Sequence, residues 1–102
     1  MTRLIAIYNQ PADTAAFDKY YYETHAPLAK TVPGLRAYTV SAATPAVVAG
    51  DVKPYLVAEL DFDDAASLQA ALGSAEGQAT AADLANFAQA GVTLLTFDVK
   101  SV

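Results

Sequence analysis

The chain has 102 residues, of which 54% are hydrophobic and only 17% charged, with a formal charge of −5; a chain of this length is expected to be a single domain spanning residues 1–102. Its six basic residues, Arg3, Lys19, Lys30, Arg36, Lys53 and Lys100, are scattered singly, so the clustered cations that displace counterions from nucleic-acid phosphates are missing. No apolar run approaches the roughly 18 residues of a membrane span, Met1 to Asn9 is too short and breaks too early for a signal peptide, and the lack of cysteine excludes disulfides and thiol chemistry; the expected location is cytoplasmic.

Arg3 to Asn9 reads as a strand, ended by Gln10-Pro11-Ala12-Asp13. Asp13 or Thr14 can cap a helix from Thr14 to Ala26 or slightly beyond by accepting from the free N–H groups of its first turn. Phe17, Tyr21, Thr24, His25 and Leu28 share one stripe of that helix at α-helical spacing, with Tyr20 on its shoulder and Tyr22 turned away. Pro27 removes the hydrogen bond to the Glu23 carbonyl, which predicts a kink or a weak last turn. Pro33-Gly34 ends the element. Leu35 to Ala43 reads as a second strand, Thr44 to Lys53 as a loop, and Pro54 to Phe62 as a third strand. Asp63 or Asp64 can cap a helix over Ala65 to Leu72, stopped by Gly73-Ser74. Ala75 to Ala90 carries Asp83, Leu84 and Phe87 at helical spacing and predicts one or two short helices before Gly91. Val92 to Val99 is the last strand. The order β-α-β-β-α-β is the split βαβ plan of an α+β, ferredoxin-like fold, with a four-stranded antiparallel sheet and both helices on one face.

Helices on one face leave the other to water, and a half-solvated antiparallel strand should alternate apolar with polar. These strands do not. Leu4, Ala6 and Tyr8 oppose Ile5 and Ile7; Leu56, Ala58, Leu60 and Phe62 oppose Tyr55 and Val57; Leu95, Phe97 and Val99 oppose Val92 and Leu94. An open apolar sheet face is an aggregation hazard that a second copy removes, so the expected partner is another copy of the chain, docked through the sheet face.

His25 is the only histidine. An imidazole near its ordinary pKa takes and returns protons at neutral pH, and an adjacent phenol donates to a developing enolate oxygen. On that chemistry His25 is the candidate general acid or base and Tyr21 the candidate oxyanion donor. Phe17, Tyr20, Thr24, Leu28 and Tyr8 are candidate ligand contacts, and Arg36 and Tyr38 further possibilities. A structural role stands beside this one: a histidine bonded to a backbone carbonyl that pins the Pro27 kink. Glu59 reads either as an acid in a shared lumen or as a solvated edge residue. One histidine and no cysteine give no zinc set, no glycine-rich phosphate loop points to a nucleotide, and no nucleophile elbow is present. No metal and no cofactor are expected.

The segments Tyr21, Thr24-His25-Ala26-Pro27-Leu28-Ala29, Pro33-Gly34-Leu35-Arg36 and Tyr38, with Phe62-Asp63-Asp64, Ser74-Ala75-Glu76-Gly77 and Asp83-Leu84-Ala85-Asn86-Phe87, resemble the EthD family of the dimeric α+β barrel superfamily over nearly the whole length. The resemblance implies two ferredoxin-like protomers packing their sheets into a shared barrel, with a cleft between helices and sheet in each. It implies a small protein that binds or converts an organic intermediate of a catabolic or biosynthetic pathway by cofactor-free proton transfer. The alternatives are a non-catalytic ligand-binding protein accessory to an oxygenase system and a haem-binding member, since haem needs one axial histidine. Many relatives carry a tryptophan or another bulky aromatic near the tyrosine that precedes the histidine. This chain has Tyr22 and no tryptophan, which bears on the shape of the pocket and not on the fold.

Overall fold

The computed structural model describes residues 1–102. Strands β1 (Thr2–Asn9), β2 (Ala37–Val40), β3 (Pro54–Phe62) and β4 (Val92–Asp98) form one sheet in the order β2-β3-β1-β4. Every neighbouring pair is antiparallel. Between β1 and β2 run α1 (Thr14–Tyr20), a π-helical turn (Tyr21–His25) and α2 (Ala26–Ala29), end to end; α3 (Ala65–Gly73) and α4 (Ala75–Phe87) lie between β3 and β4. This is the α+β, ferredoxin-like arrangement. The molecule measures 36 × 35 × 19 Å, and its thin dimension is that of one helical layer on one sheet.

Capping fixes the helix starts. Asp13 accepts from the Ala16 N–H at 3.0 Å and Asp64 from the Ser67 N–H at 2.7 Å, each satisfying an orphan donor of a first turn. Asp63 instead pairs with Arg36 at 2.8 Å on the surface. Ser74 ends α3 and starts α4: its hydroxyl donates to the Ala71 carbonyl at 2.6 Å and accepts from the Gly77 N–H at 3.0 Å. Ala75 to Phe87 is therefore one helix, where the sequence allowed two. Gly77 has the closest approach in the helical layer, since a Cβ built on it would stand 2.0 Å from the Ala71 carbonyl oxygen.

Strand β2 is shorter than the predicted Leu35 to Ala43. Arg36 and Ser41 still donate backbone bonds to the Asp61 and Val57 carbonyls at 2.8 Å, so the pairing frays beyond the four regular residues. The register also corrects one face assignment. Tyr8 pairs with Leu56 and Asn9 with Pro54, which leaves Tyr55 as the extra residue of a bulge. Its ring then turns to the helical side, 5.3 Å edge-on to Phe17, and its hydroxyl donates to Asp18 at 2.8 Å.

The core lies between sheet and helices. Ala6, Tyr8, Leu56, Ala58 and Phe62 from the strands are buried there with Phe17, Tyr21, Leu68 and Phe87 from the helices. The opposite face has no layer on it. Ile5, Ile7 and Val57 are half-buried there, while Leu95 and Phe97 are 46% and 43% exposed. Arg3, paired with Asp61 at 2.7 Å and Glu59 at 3.6 Å, forms an ionic strip along the same face, which places Glu59 in an ion pair on the open side of the protomer.

Candidate functional site

The site begins with Pro27. A proline inside a helix has no N–H and its ring crowds the carbonyl four residues back, here Glu23. The helix meets this with a wider turn immediately upstream: the Ala26 N–H bonds to the Tyr21 carbonyl, five residues back, instead of four. A π turn takes up one extra residue, so the buried stripe slips. Phe17, Tyr21, His25 and Ala29 are buried at strict four-residue spacing, whereas Thr24 is exposed and Leu28 only half-buried.

That slip sets the imidazole inward, 4% exposed, with its ring centroid 4.6 Å from Phe87 and 5.4 Å from Tyr21. Nδ1 lies 2.9 Å from Asp83 Oδ2 on α4, and Nε2 lies 3.5 Å from the Tyr8 hydroxyl on β1. The other carboxylate oxygen of Asp83 accepts from the Tyr20 hydroxyl at 2.6 Å and from Asn86 Nδ2 at 3.0 Å. Beside this chain, the Tyr21 and Tyr38 hydroxyls bond to each other at 2.6 Å. His25 bonds a carboxylate and faces a phenol. It makes no bond to a backbone carbonyl, so pinning the kink is not its role.

His25, Tyr8, Tyr21 and Tyr38 line the inner end of a cavity of about 80 Å³ between sheet and helices. Its remaining wall is almost wholly apolar, with Leu4, Leu60, Phe62 and Leu84 along its length and Leu72 and Leu94 towards solvent. Several waters, or the head of a small organic molecule, fill such a volume. A haem does not: the space is too small for a porphyrin. No group of three histidine, cysteine or carboxylate side chains is placed to hold a metal ion.

The electrostatics assign the protons. Burial pushes the imidazole below its ordinary pKa, outweighing the hydrogen bond and charge of Asp83. Burial pushes the Asp83 carboxyl up, but hydrogen bonds from Tyr20, Asn86 and His25 outweigh it and hold the group below the usual carboxylate range. At neutral pH the pair is therefore a neutral imidazole donating its Nδ1 proton to a carboxylate, which leaves the Nε2 lone pair on the cavity side. Burial raises the Tyr8, Tyr21 and Tyr38 hydroxyls above the ordinary phenol value. They remain O–H donors and not phenolates.

Of the residues singled out in the sequence, the structure brings His25, Tyr21 and Tyr8 together at the cavity, with Tyr38. Phe17 stacks on Tyr21 at 5.9 Å within the aromatic core and, like Tyr20, faces a separate open cleft beside Pro11, Asn86 and Gln89. Thr24 and Leu28 do not line the cavity, because the π turn moves them off the buried stripe. Tyr22 is 50% exposed. Sequence reasoning missed Asp83 as the partner of His25, and Asn86 with it. The available signal was a carboxylate on the same helical stripe as Leu84 and Phe87, since a buried charge requires a partner.

Comparison with known proteins agrees with this architecture. The EthD domain profile matches residues 9–91. An uncharacterised 11.0 kDa protein encoded in the thcB–thcC intergenic region of Rhodococcus erythropolis is 38% identical over 102 residues, covering 100% of this chain and 98% of that protein. The crystal structure of an EthD family protein from Bacillus halodurans superposes with a TM-score of 0.88 at 41% identity, covering 98% of this chain and 99% of the other. A dimeric ferredoxin-like protein of unknown function from Thermobifida fusca shares the fold, with a TM-score of 0.69 at 18% identity over 96% of this chain and 90% of that one. On the extent of the profile match and the two close relatives, this chain belongs to the EthD family.

Proposed function

We propose that this protein binds a small, mostly apolar organic molecule in the cavity beside His25 and moves a proton on it without a cofactor. The observation that carries the reading is the line Asp83–His25–Tyr8, with 2.9 Å and 3.5 Å between successive groups, ending at a cavity of about 80 Å³. Asp83 holds the imidazole in the tautomer whose free lone pair faces the ligand, the arrangement a general base needs. The neutral phenols of Tyr21 and Tyr8 supply hydrogen bonds to an oxygen that gains charge as the proton leaves. Chemistry of this type covers enolisation next to a carbonyl and rearrangement of a lactone. The test is deuterium incorporation from heavy water into a panel of small ketones, diketones and lactones, followed by proton NMR. Wild-type protein exchanges at least one of them and His25→Ala does not; exchange at the wild-type rate in His25→Ala would falsify the catalytic role.

A second reading is favoured by a specific observation: no buried side-chain nitrogen or oxygen lacks a hydrogen-bond partner. A site at rest with its polar groups already paired suits a binding protein as well as an enzyme. Ligand-induced shifts of the His25 ring signals without exchange in any compound would establish it.

The protein acts, in this proposal, as a homodimer joined through the bare sheet face. Support comes from Ile5, Ile7, Leu95 and Phe97, which no helix covers, and from the dimeric ferredoxin-like protein that shares the fold. Face-to-face sheets bury such surfaces at a spacing of about 10 Å.

A further inference from the structure

The cavity is polar at one end only. Its inner end holds Tyr21, Tyr8 and His25, which are 1%, 2% and 4% exposed, and its mouth holds Leu72 and Leu94, 40% and 49% exposed. Apart from Tyr38 beside Tyr21, the rest of the wall offers no hydrogen-bonding side chain except Thr80. No lysine or arginine lines it. Arg3 is paired with Asp61 on the opposite face of the sheet, Arg36 is paired with Asp63 on the surface, and all four lysines are exposed. The charge closest to the cavity is the carboxylate of Asp83, directly behind the imidazole. A carboxylate or phosphate entering here would lose its water, gain no cation and face a like charge, which is unfavourable on every count.

The inner end has one phenol proton to spare, and the His25 lone pair is engaged only by the Tyr8 hydroxyl, at a distance from which a ligand can displace it. The Tyr21 and Tyr38 hydroxyls carry two protons between them, and their mutual bond at 2.6 Å uses one. The second is free to point at a ligand oxygen. His25 Nε2 has only the Tyr8 hydroxyl near it, at 3.5 Å, the outer limit of a hydrogen bond. Tyr21 and His25 line the same cavity, so one carbonyl group and the carbon next to it can meet both.

Building on the proton-transfer reading, we infer that the ligand is a neutral molecule with one enolisable carbonyl at its buried end and an apolar tail running out past Leu72 and Leu94. In the step this implies, Nε2 takes a proton from the carbon beside the carbonyl. The electron pair of that C–H bond moves into the C–C bond, and the carbonyl π pair moves to the oxygen. The enolate oxygen is then held by the spare phenol proton, and the imidazolium returns a proton to carbon. No oxidant or metal enters the balance.

Methyl ketones of increasing chain length, from butanone to methyl heptyl ketone, test this against fatty carboxylates of matched length. Binding is read from the His25 ring signals, and deuterium incorporation is read on the same samples. Affinity should rise about fourfold for each methylene taken out of water until the tail clears the mouth, and the matched carboxylate should bind at least about tenfold more weakly. Leu72→Gln and Leu94→Gln, both at partly exposed positions that tolerate a polar side chain, should flatten the chain-length slope. Equal binding of ketones and carboxylates overturns the ligand class, and a slope of zero in the wild-type protein overturns the tail. A slope with no deuterium exchange keeps the ligand class and overturns proton transfer by His25, so the two ideas fail separately.

Discussion

Replacing Asp83 by asparagine changes one atom and reverses a tautomer. Oδ1, which accepts from Tyr20 and Asn86 at 2.6 and 3.0 Å, is kept as the amide oxygen. Oδ2, 2.9 Å from His25 Nδ1, becomes an NH₂ that donates. An imidazole with its proton on Nδ1 would then face another N–H at hydrogen-bond distance, so the proton moves to Nε2 and the lone pair turns away from the cavity. In a Ser-His-Asp triad the same exchange costs about 10⁴-fold in rate with the geometry intact, and Asp83→Asn is expected to lose about 10²- to 10⁴-fold here. The stability change is about 1–3 kcal/mol, because the three charge-assisted hydrogen bonds of the carboxylate become neutral ones. Asp83→Ala differs: it leaves the buried His25 donor without a partner and should cost about 2–4 kcal/mol. His25 is the only histidine, so its two ring nitrogens give a single pair of nitrogen NMR signals, and their coupling to the ring protons reports which nitrogen carries hydrogen. Deuterium exchange supplies the rate and urea unfolding the stability. A variant that keeps the wild-type tautomer, or that switches tautomer and exchanges at the wild-type rate, would refute the role given to Asp83.

Exchange should rise with pH through a single ionisation below the ordinary imidazole value of about 6.5 and stay flat above it, because burial lowers the His25 pKa and only the neutral ring accepts a proton. The same shift appears in stability: the unfolded chain holds that proton more tightly, so stability is full above about 6.5 and falls as the pH drops from there towards the folded-state value. His25→Gln should lack this phase in urea titrations at a series of pH values. A second acid phase, below about 3.9, should follow as the depressed carboxyls of Asp83, Asp63 and Asp64 are protonated, and Asp83→Asn should reduce it without abolishing it. Gly77→Ala should lower the melting temperature by several degrees, since a Cβ 2.0 Å from the Ala71 carbonyl forces α3 and α4 apart at about 1–3 kcal/mol, more than the roughly 1 kcal/mol gained in helix propensity. A raised melting temperature would show that the contact yields. Leu95→Glu puts a charge on the bare sheet face and should convert the proposed dimer to monomer by light scattering with an unchanged far-ultraviolet spectrum; a variant that stays dimeric moves the interface elsewhere.

The fold was legible because its signals are local and redundant. Asp13 and Asp64 sit where a first turn needs an acceptor, Gly73-Ser74 reads as a stop, and the strands carry β-branched and aromatic residues between turn signals. The lack of alternation along β1 and β4 signals the second apolar face, since period-two burial is a property of the strand alone. What was not legible depends on pairing between distant segments. Tyr55 looked like an outward residue by alternation, and only the slip between Tyr8–Leu56 and Asn9–Pro54 turns its ring to the helical side. The ends of β2 likewise follow from how far β3 accompanies it, which Leu35 to Ala43 does not encode.

The candidate site shows the same division within a few residues. His25 and Tyr21 were identifiable because each is chemically distinctive and they lie four apart. Assigning Thr24 and Leu28 to their face assumed α-helical turns throughout, and the assumption fails at Pro27, where the missing N–H and the crowded Glu23 carbonyl select a five-residue turn. A proline that predicts a kink thus also predicts a phase slip, and the slip decides which residue after His25 faces inward: Ala29, a small one, leaves open the space that Leu28 would have filled. Asp83 lies 58 residues further on, and no local rule connects it to His25. Its burial on a stripe with Leu84 and Phe87 demanded a cationic or donating partner, and the chain offers one histidine. The demand for a partner runs from the carboxylate to the imidazole, so the pairing is signalled by the acid even though the site is first marked by the base.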